Sequence, residues 1–232
     1  RRRGGRDPIS ASEAGVGVLI RENEHCTILM TGNRNVSVFD RAGRILYAVR
    51  DGVPIRAGLD GRLVPGGDAA EIYADAARAG LESVAGPGAA AWESTARRFR
   101  EIYGAVPVLP PDQYGAVYLQ VVIGCAPNRC TFCTLYRGRP FRIRKPEEFR
   151  THVREVKDLL GPDLARRRSV FLGDANALGI PMRFLRPILA EARSSFPHLD
   201  IYSFADARLH RGKSVEDLRE LGVRRVTFGL ET

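Results

Sequence analysis

Cysteine is scarce in this sequence, with four in 232 residues. A chain this long with so few does not read as a disulfide scaffold. No apolar run approaches about 18 residues, so no helical membrane span is expected. The first residues carry no signal peptide. Of the histidines, His152, His198 and His210 have no partners at ligand spacing and read as surface or packing residues. Tryptophan occurs once and aromatics make up 8% of the chain. Few of them lie in the basic stretches, which weakens a base-stacking nucleic-acid surface. Three of the four cysteines are crowded together, which suggests metal binding or catalysis in a reducing, cytoplasmic compartment. An initiator Met is also missing, and the sequence stops at "FGLET" straight after a strand-like run; both features lead us to expect a fragment of a longer protein.

What is present is 44% apolar residues, enough for a sizeable core in one or two domains, and a formal charge of +9. That excess invites a nucleic-acid partner. It is scattered, however, and dominated by arginine over lysine, which fits a GC-rich genome as well as a binding surface.

The pattern of the chain changes several times. Residues 1–13 are polar and rich in Arg and Gly and read as a disordered basic arm. Over 14–66, the runs "GVGVLI", "HCTILM", "NVSVFD" and "RILYAV" alternate with the turn-forming "TGNRN", "DRAG" and "RDGVP", the pattern of a small β-meander. Residues 67–115 read as a helix over Asp68 to Val84, a break at "AGPGAA", a second helix from Ala91 to Gly104 and a Pro-rich linker. Trp92 and Phe99 serve as helix packing. From 116 to 232 strands and helices alternate: "AVYLQVVIG", "KPEEFRTHVREVKDLLG", "RSVFLGDA", "PMRFLRPILAEARSSFP", "DIYSFADA", "SVEDLRELG" and "RRVTFGLE". Pro187 is expected to kink or split the second of these helices. Such alternation means a parallel α/β sheet with helical crossovers, here about half of an eight-fold barrel.

In parallel α/β folds the chemistry sits at the C-terminal strand ends. There lie Cys125, Cys130 and Cys133 after the first strand, Asp174 and Asn176 after the second, Ser203, Asp206 and Arg208 after the third, and Glu231 after the fourth. Three thiols in one loop point to a soft or borderline metal. Structural zinc wants four ligands in closed tetrahedral geometry, and the loop has three. Cys26 reads as a buried strand cysteine rather than a distant fourth ligand. A 4Fe–4S cube can take one cysteine on each of three irons and leave the fourth iron open, so the spacing and position favour the cube over zinc. Asp174 and Asn176 read either as an Asx turn or, beside this loop, as functional groups.

These residues carry a resemblance. The loop "CAPNRCTFC" resembles the cluster loop of the radical S-adenosylmethionine (SAM) superfamily, with C-x4-C-x2-C in place of the usual C-x3-C-x2-C. The fuller pattern, GC-x-x-N-x-C-x-F-C-x-x-Y followed by "FRIR", is similar to a bacterial and archaeal branch with the longer loop. The resemblance covers about Val117 to Thr232. It implies the first half of a (β/α) partial barrel that holds a 4Fe–4S cluster and cleaves SAM to start radical chemistry on an unknown substrate. Electrons would come from a flavodoxin or ferredoxin. Cys125, Cys130 and Cys133 would ligate three irons, and the amino and carboxylate groups of SAM would chelate the fourth. Phe132 would lie near the adenine. Asp174 in "LGD" stands where the family often has the glutamate of Gly-Gly-Glu and would accept a hydrogen bond from the methionine amine, with Asn176 beside it. Ser203, Arg208 and Glu231 would face the same pocket. Arg142 and Arg144 would favour the reduced cluster through their positive charge. Two rivals remain: a zinc-stabilised nucleic-acid-binding module, and a cluster protein that does not cleave SAM.

Overall fold

The computed structural model describes residues 17–32, 34–104, 109–206 and 213–229. The chain forms two compact units, Arg1–Glu101 and Ile102–Thr232. Among the described residues no helix is long and apolar enough to cross a membrane.

The first unit is built on a six-stranded antiparallel meander whose strands lie in chain order: β1 (Leu19–Glu22), β2 (Cys26–Thr31), β3 (Asn35–Asp40), β4 (Ile45–Arg50), β5 (Val53–Ala57) and β6 (Leu63–Val64). The turns fall where the sequence places its breakers. Arg50 pairs with Val53, so Asp51 and Gly52 alone make the β4–β5 turn, both at positive φ (49° and 79°). That is the hairpin turn whose twist matches its strands. At the β3–β4 turn, Asp40 is 3% exposed; its carboxylate accepts from the Ala42 and Arg44 amides, each at 2.9 Å, and from the Arg44 side chain at 2.6 Å. Cys26 opens β2 as a strand residue, but half-buried rather than buried.

Two helices cover this sheet, and their break is not where the sequence placed it. Helix α1 (Ala69–Arg78) ends at Gly80, at φ 73°. The Leu81 amide bonds the Ala76 carbonyl and the Gly80 amide bonds that of Ala77, the paired closure of a Schellman motif. Helix α2 (Glu82–Tyr103) then runs unbroken through Gly86, Pro87 and Gly88. The buried Gly88 is there for contact: a Cβ on it would fall on the Gly43 carbonyl and the Tyr73 ring, and a Cβ on Gly43 would come within 3.0 Å of the Gly88 Cα. Close approach of helix to turn, rather than chain breakage, explains the glycine. The core beneath joins Leu29, Phe39, Ile45, Ala48 and Ile55 of the strands to Ile72, Tyr73, Val84 and Trp92 of the helices.

The second unit holds a four-stranded parallel sheet in chain order, β7 (Val117–Gln120), β10 (Ser169–Gly173), β11 (Asp200–Asp206) and β12 (Val223–Gly229), with β8 (Val122–Ile123) and β9 (Arg142–Ile143) forming a separate antiparallel pair. Helices α3 (Pro146–Leu160), α4 (Met182–Ser195) and α5 (Val215–Glu220) supply the three crossovers. β7 and β10 are buried along their whole length, as their near-continuous apolar runs require. Helix α4 is continuous through Pro187 rather than split. Ser214 caps α5, accepting from the Asp217 amide at 2.9 Å while Asp217 accepts from the Ser214 amide at 3.1 Å. The sheet does not close into a barrel among the described residues.

Edge strand β7 is finished by side chains. The Tyr103 hydroxyl donates to the Tyr118 carbonyl at 2.7 Å, and the Gln120 amide donates to His152 Nε2 at 2.9 Å. Next along, the Arg144 amide takes the Val121 carbonyl at 3.0 Å. Outward polar groups that would template another strand are thereby used.

Trp92 reports on the first unit alone. Gly88→Ala should lower the midpoint of the Trp92 fluorescence transition by the equivalent of about 1–3 kcal/mol, the usual cost of overpacking. Gly86→Ala, exposed and with open space around it, should leave the midpoint unchanged or raise it by up to about 1 kcal/mol. Equal effects from the two would contradict the contact role of Gly88.

Candidate functional site

The sequence "AVYLQVVIG" reads as one strand, but it divides. β7 stays in the parallel sheet to Gln120, and then Val122–Ile123 turns to pair with Arg142–Ile143. The reason lies in the partner: "FRIR" closes the base of the cysteine loop, so the chain must leave the sheet to meet it. Gly124, at φ 75°, makes this closure possible, since a Cβ there would stand 3.1 Å from the Pro140 carbonyl oxygen. The loop is thus an excursion of residues 124–141 tied at its neck.

Inside the loop the chain makes successive tight turns, with the Cys133 amide bonding Cys130 O at 3.3 Å and the Arg139 amide bonding Tyr136 O at 3.0 Å. Asn128 sits at φ 42°, a left-handed conformation that asparagine tolerates well, and its side-chain amide donates to the Tyr136 carbonyl at 3.0 Å. Tyr136 is the loop's buried anchor, 6% exposed. Burial, then the neighbouring Asp174, Cys125 and Cys133, push ionisation of its hydroxyl above the ordinary range, so it remains a neutral phenol.

Cys125, Cys130, Cys133, Phe132 and Asn176 line one cavity of about 300 Å³, completed by Tyr136 and the ends of β11 and β12. All four cysteines of the chain are thiols. The three of the loop share this cavity without meeting at a point: among the described residues no three His, Cys, Asp or Glu side chains stand together as ligands of a single metal ion. Phe132 is 65% exposed at the rim. The Asn176 Oδ1 is buried and has no hydrogen-bond partner among the described residues.

Other residues expected in the pocket lie elsewhere. Ser203 is 1% exposed, and its hydroxyl donates to the Leu172 carbonyl at 2.9 Å inside the sheet. It does not line the cavity. Asp174 is 2% exposed and lies beneath the lining, not on it. Arg208 and Glu231 fall outside the described residues. Arg142 is ion-paired with Glu148 at 2.8 Å, and Arg144 turns inward to donate to Gln120 Oε1 at 2.7 Å.

Asp174 is the centre of a buried polar group. Its Oδ1 accepts from the Tyr118 hydroxyl at 2.5 Å and from Gln120 Nε2 at 3.2 Å. Its Oδ2 accepts from Gln120 Nε2 at 3.0 Å and from the Gly124 amide at 3.2 Å. Tyr118 is a neutral donor, because burial above all, and then the Asp174 charge, drive its ionisation far up. Gly173 is required by this arrangement: a Cβ on it would fall on the Tyr118 ring and hydroxyl.

Tyr118 and Gln120 escaped the sequence reading, Tyr136 entered it only as the end of the loop pattern and His152 only as a surface or packing residue, but Gln120 and His152 left a signal. A glutamine inside an otherwise apolar buried strand needs a partner. A histidine sharing the apolar face of Phe149, Val153 and Val156 must be buried, and His152 is fully so, which decides between its surface and packing readings in favour of packing. No protein-family model matches the chain, and no curated protein or solved structure matches it either.

His152 makes the unit pH-sensitive. Burial, with a smaller push from Arg144, lowers its pKa to about 3. The folded state keeps it neutral while the unfolded state protonates below about pH 6.5, so stability is full above that pH and is lost as pH falls toward 3. We expect a slope approaching about 1.4 kcal/mol per pH unit over pH 6 to 5 from this one group. His152→Gln, which keeps an acceptor for the Gln120 amide, should flatten it in denaturant titrations at each pH. An unchanged slope would contradict the assignment.

Proposed function

We propose that the chain is a radical SAM enzyme: Cys125, Cys130 and Cys133 hold a 4Fe–4S cluster, and SAM binds at the open iron, in a partial (β/α) barrel begun by β7, β10, β11 and β12. The observation that carries this is three thiols lining one cavity at the C-terminal end of a parallel sheet, in a loop tied at its neck.

The donor set suits a cube better than a lone ion. Structural zinc wants four ligands in closed tetrahedral geometry, and the loop offers three. In a cube each thiolate takes its own iron, so the sulfurs stand apart. When bound, the cluster and SAM supply one-electron cleavage of the sulfonium and hydrogen abstraction from a substrate. The chain's own part is positional. The β8–β9 neck fixes the loop, Tyr136 anchors its underside, Phe132 stands at the rim as an apolar cover, and Asn176 offers an acceptor to a bound molecule. The segment from Cys125 to Lys145 carries six basic and no acidic side chains, which fits an acidic electron donor of the flavodoxin or ferredoxin kind.

Anaerobic reconstitution of the full chain should yield about four irons and about four acid-labile sulfides per chain and, on reduction, cleavage of SAM. Replacing any one of Cys125, Cys130 or Cys133 by alanine should abolish both, whereas Cys26→Ala should abolish neither. One zinc per chain with no sulfide would overturn the proposal.

A further inference from the structure

The carboxylate of Asp174 is fully committed. A carboxylate has about four lone-pair directions, and two on each oxygen are taken by Tyr118, Gln120 and Gly124. Nothing is left to reach into the cavity, from which the residue is also screened by burial. Three of the four contacts come from Tyr118 and Gln120, which alternate onto one face of β7. The fourth comes from the amide of Gly124, the residue immediately before Cys125. Gln120 extends the group by accepting from Arg144, which leads into α3 directly after the loop's closing strand. Both ends of the cysteine loop are therefore tied to one buried carboxylate, directly at Gly124 and through Gln120 at Arg144.

We propose that Asp174 is a positioning residue that, with Tyr118 and Gln120, fixes Cys125 at the end of β7 through the Gly124 amide, and is not a ligand for the amine of SAM. The proposal rests on the radical SAM reading for what the loop holds, but the latch itself is a property of the chain alone. Asparagine can replace the carboxylate without breaking the latch. With its Oδ1 in the place of the carboxylate's Oδ2 it keeps the Gly124 and Gln120 donors, and its Nδ2 donates to the Tyr118 oxygen in exchange for the bond that the Tyr118 hydroxyl donates to the carboxylate. Alanine leaves all three donors buried and unpaired.

The test compares wild type with Asp174→Asn and Asp174→Ala. On apo protein, iodoacetamide alkylation of each cysteine is followed by mass spectrometry and amide exchange is followed at Gly124 and Cys125. On reconstituted protein, the electron paramagnetic resonance spectrum of the reduced cluster without SAM is recorded and the Kd for SAM is measured. Asp174→Ala should accelerate Cys125 alkylation and Gly124 exchange by about tenfold or more, with Cys130 and Cys133 changed far less. It should also shift the g-values of the reduced cluster. Asp174→Asn should match wild type in alkylation, exchange and spectrum, with a Kd for SAM within about threefold, since no contact to SAM is lost. If Asp174→Ala does not fold, Gln120→Met, which removes two of the four contacts that hold the Asp174 carboxylate against the Gly124 amide, should show the Cys125-selective effect in weaker form. Unchanged Cys125 alkylation and Gly124 exchange would overturn the latch. So would a Kd raised about tenfold or more in Asp174→Asn with unchanged thiol rates, since that marks a direct ligand. Failure of wild type to take up iron and sulfide would refute the radical SAM reading while the apo measurements still decide the latch.

Discussion

A buried carboxylate at the end of a parallel sheet is the constraint on which the second unit depends. The Asp174 carboxyl group sits in a place nearly closed to water, and such a group persists only if donors surround it. Tyr118 and Gln120 must therefore alternate onto one face of β7, Gly173 must lack a side chain so that Tyr118 can approach, and Gly124 must present its amide from the start of the cysteine loop. Sheet register, loop position and the polar interior are one set of hydrogen bonds. The edge of β7 is settled by the same residues, since the backbone of Tyr118 and Gln120 is bonded by Tyr103 and His152 on the other side.

Much of the fold was legible because it follows from local rules. The alternating runs and turn residues of the meander, the glycine stops, the Ser214 capping box and the strand–helix rhythm after residue 116 all act within a few positions. What was not legible depends on partners far away. "AGPGAA" reads as a break, yet Gly88 is small because Gly43, on a turn 45 residues earlier, lies against it. "AVYLQVVIG" reads as one strand because nothing local says that "FRIR", twenty residues on, will draw its second half away.

The site divides along the same line. Cys125, Cys130 and Cys133 share one spacing motif, and with Phe132 and Asn176 they do line one cavity. Asp174 and Ser203 were placed in that cavity by the rule that strand ends carry chemistry. The rule locates a residue at the rim but not the direction of its side chain. Ser203 turns to the Leu172 carbonyl and Asp174 to donors 50 or more positions upstream.

The central claim is that three cysteines hold a cube whose remaining iron is open to SAM. Mössbauer spectroscopy of chain loaded with ⁵⁷Fe, recorded with and without SAM, addresses it most directly. The account predicts a cluster in which a single iron site changes its isomer shift and quadrupole splitting when SAM is added, while the other three do not. Four irons that ignore SAM, or a spectrum with no cluster at all, would contradict it.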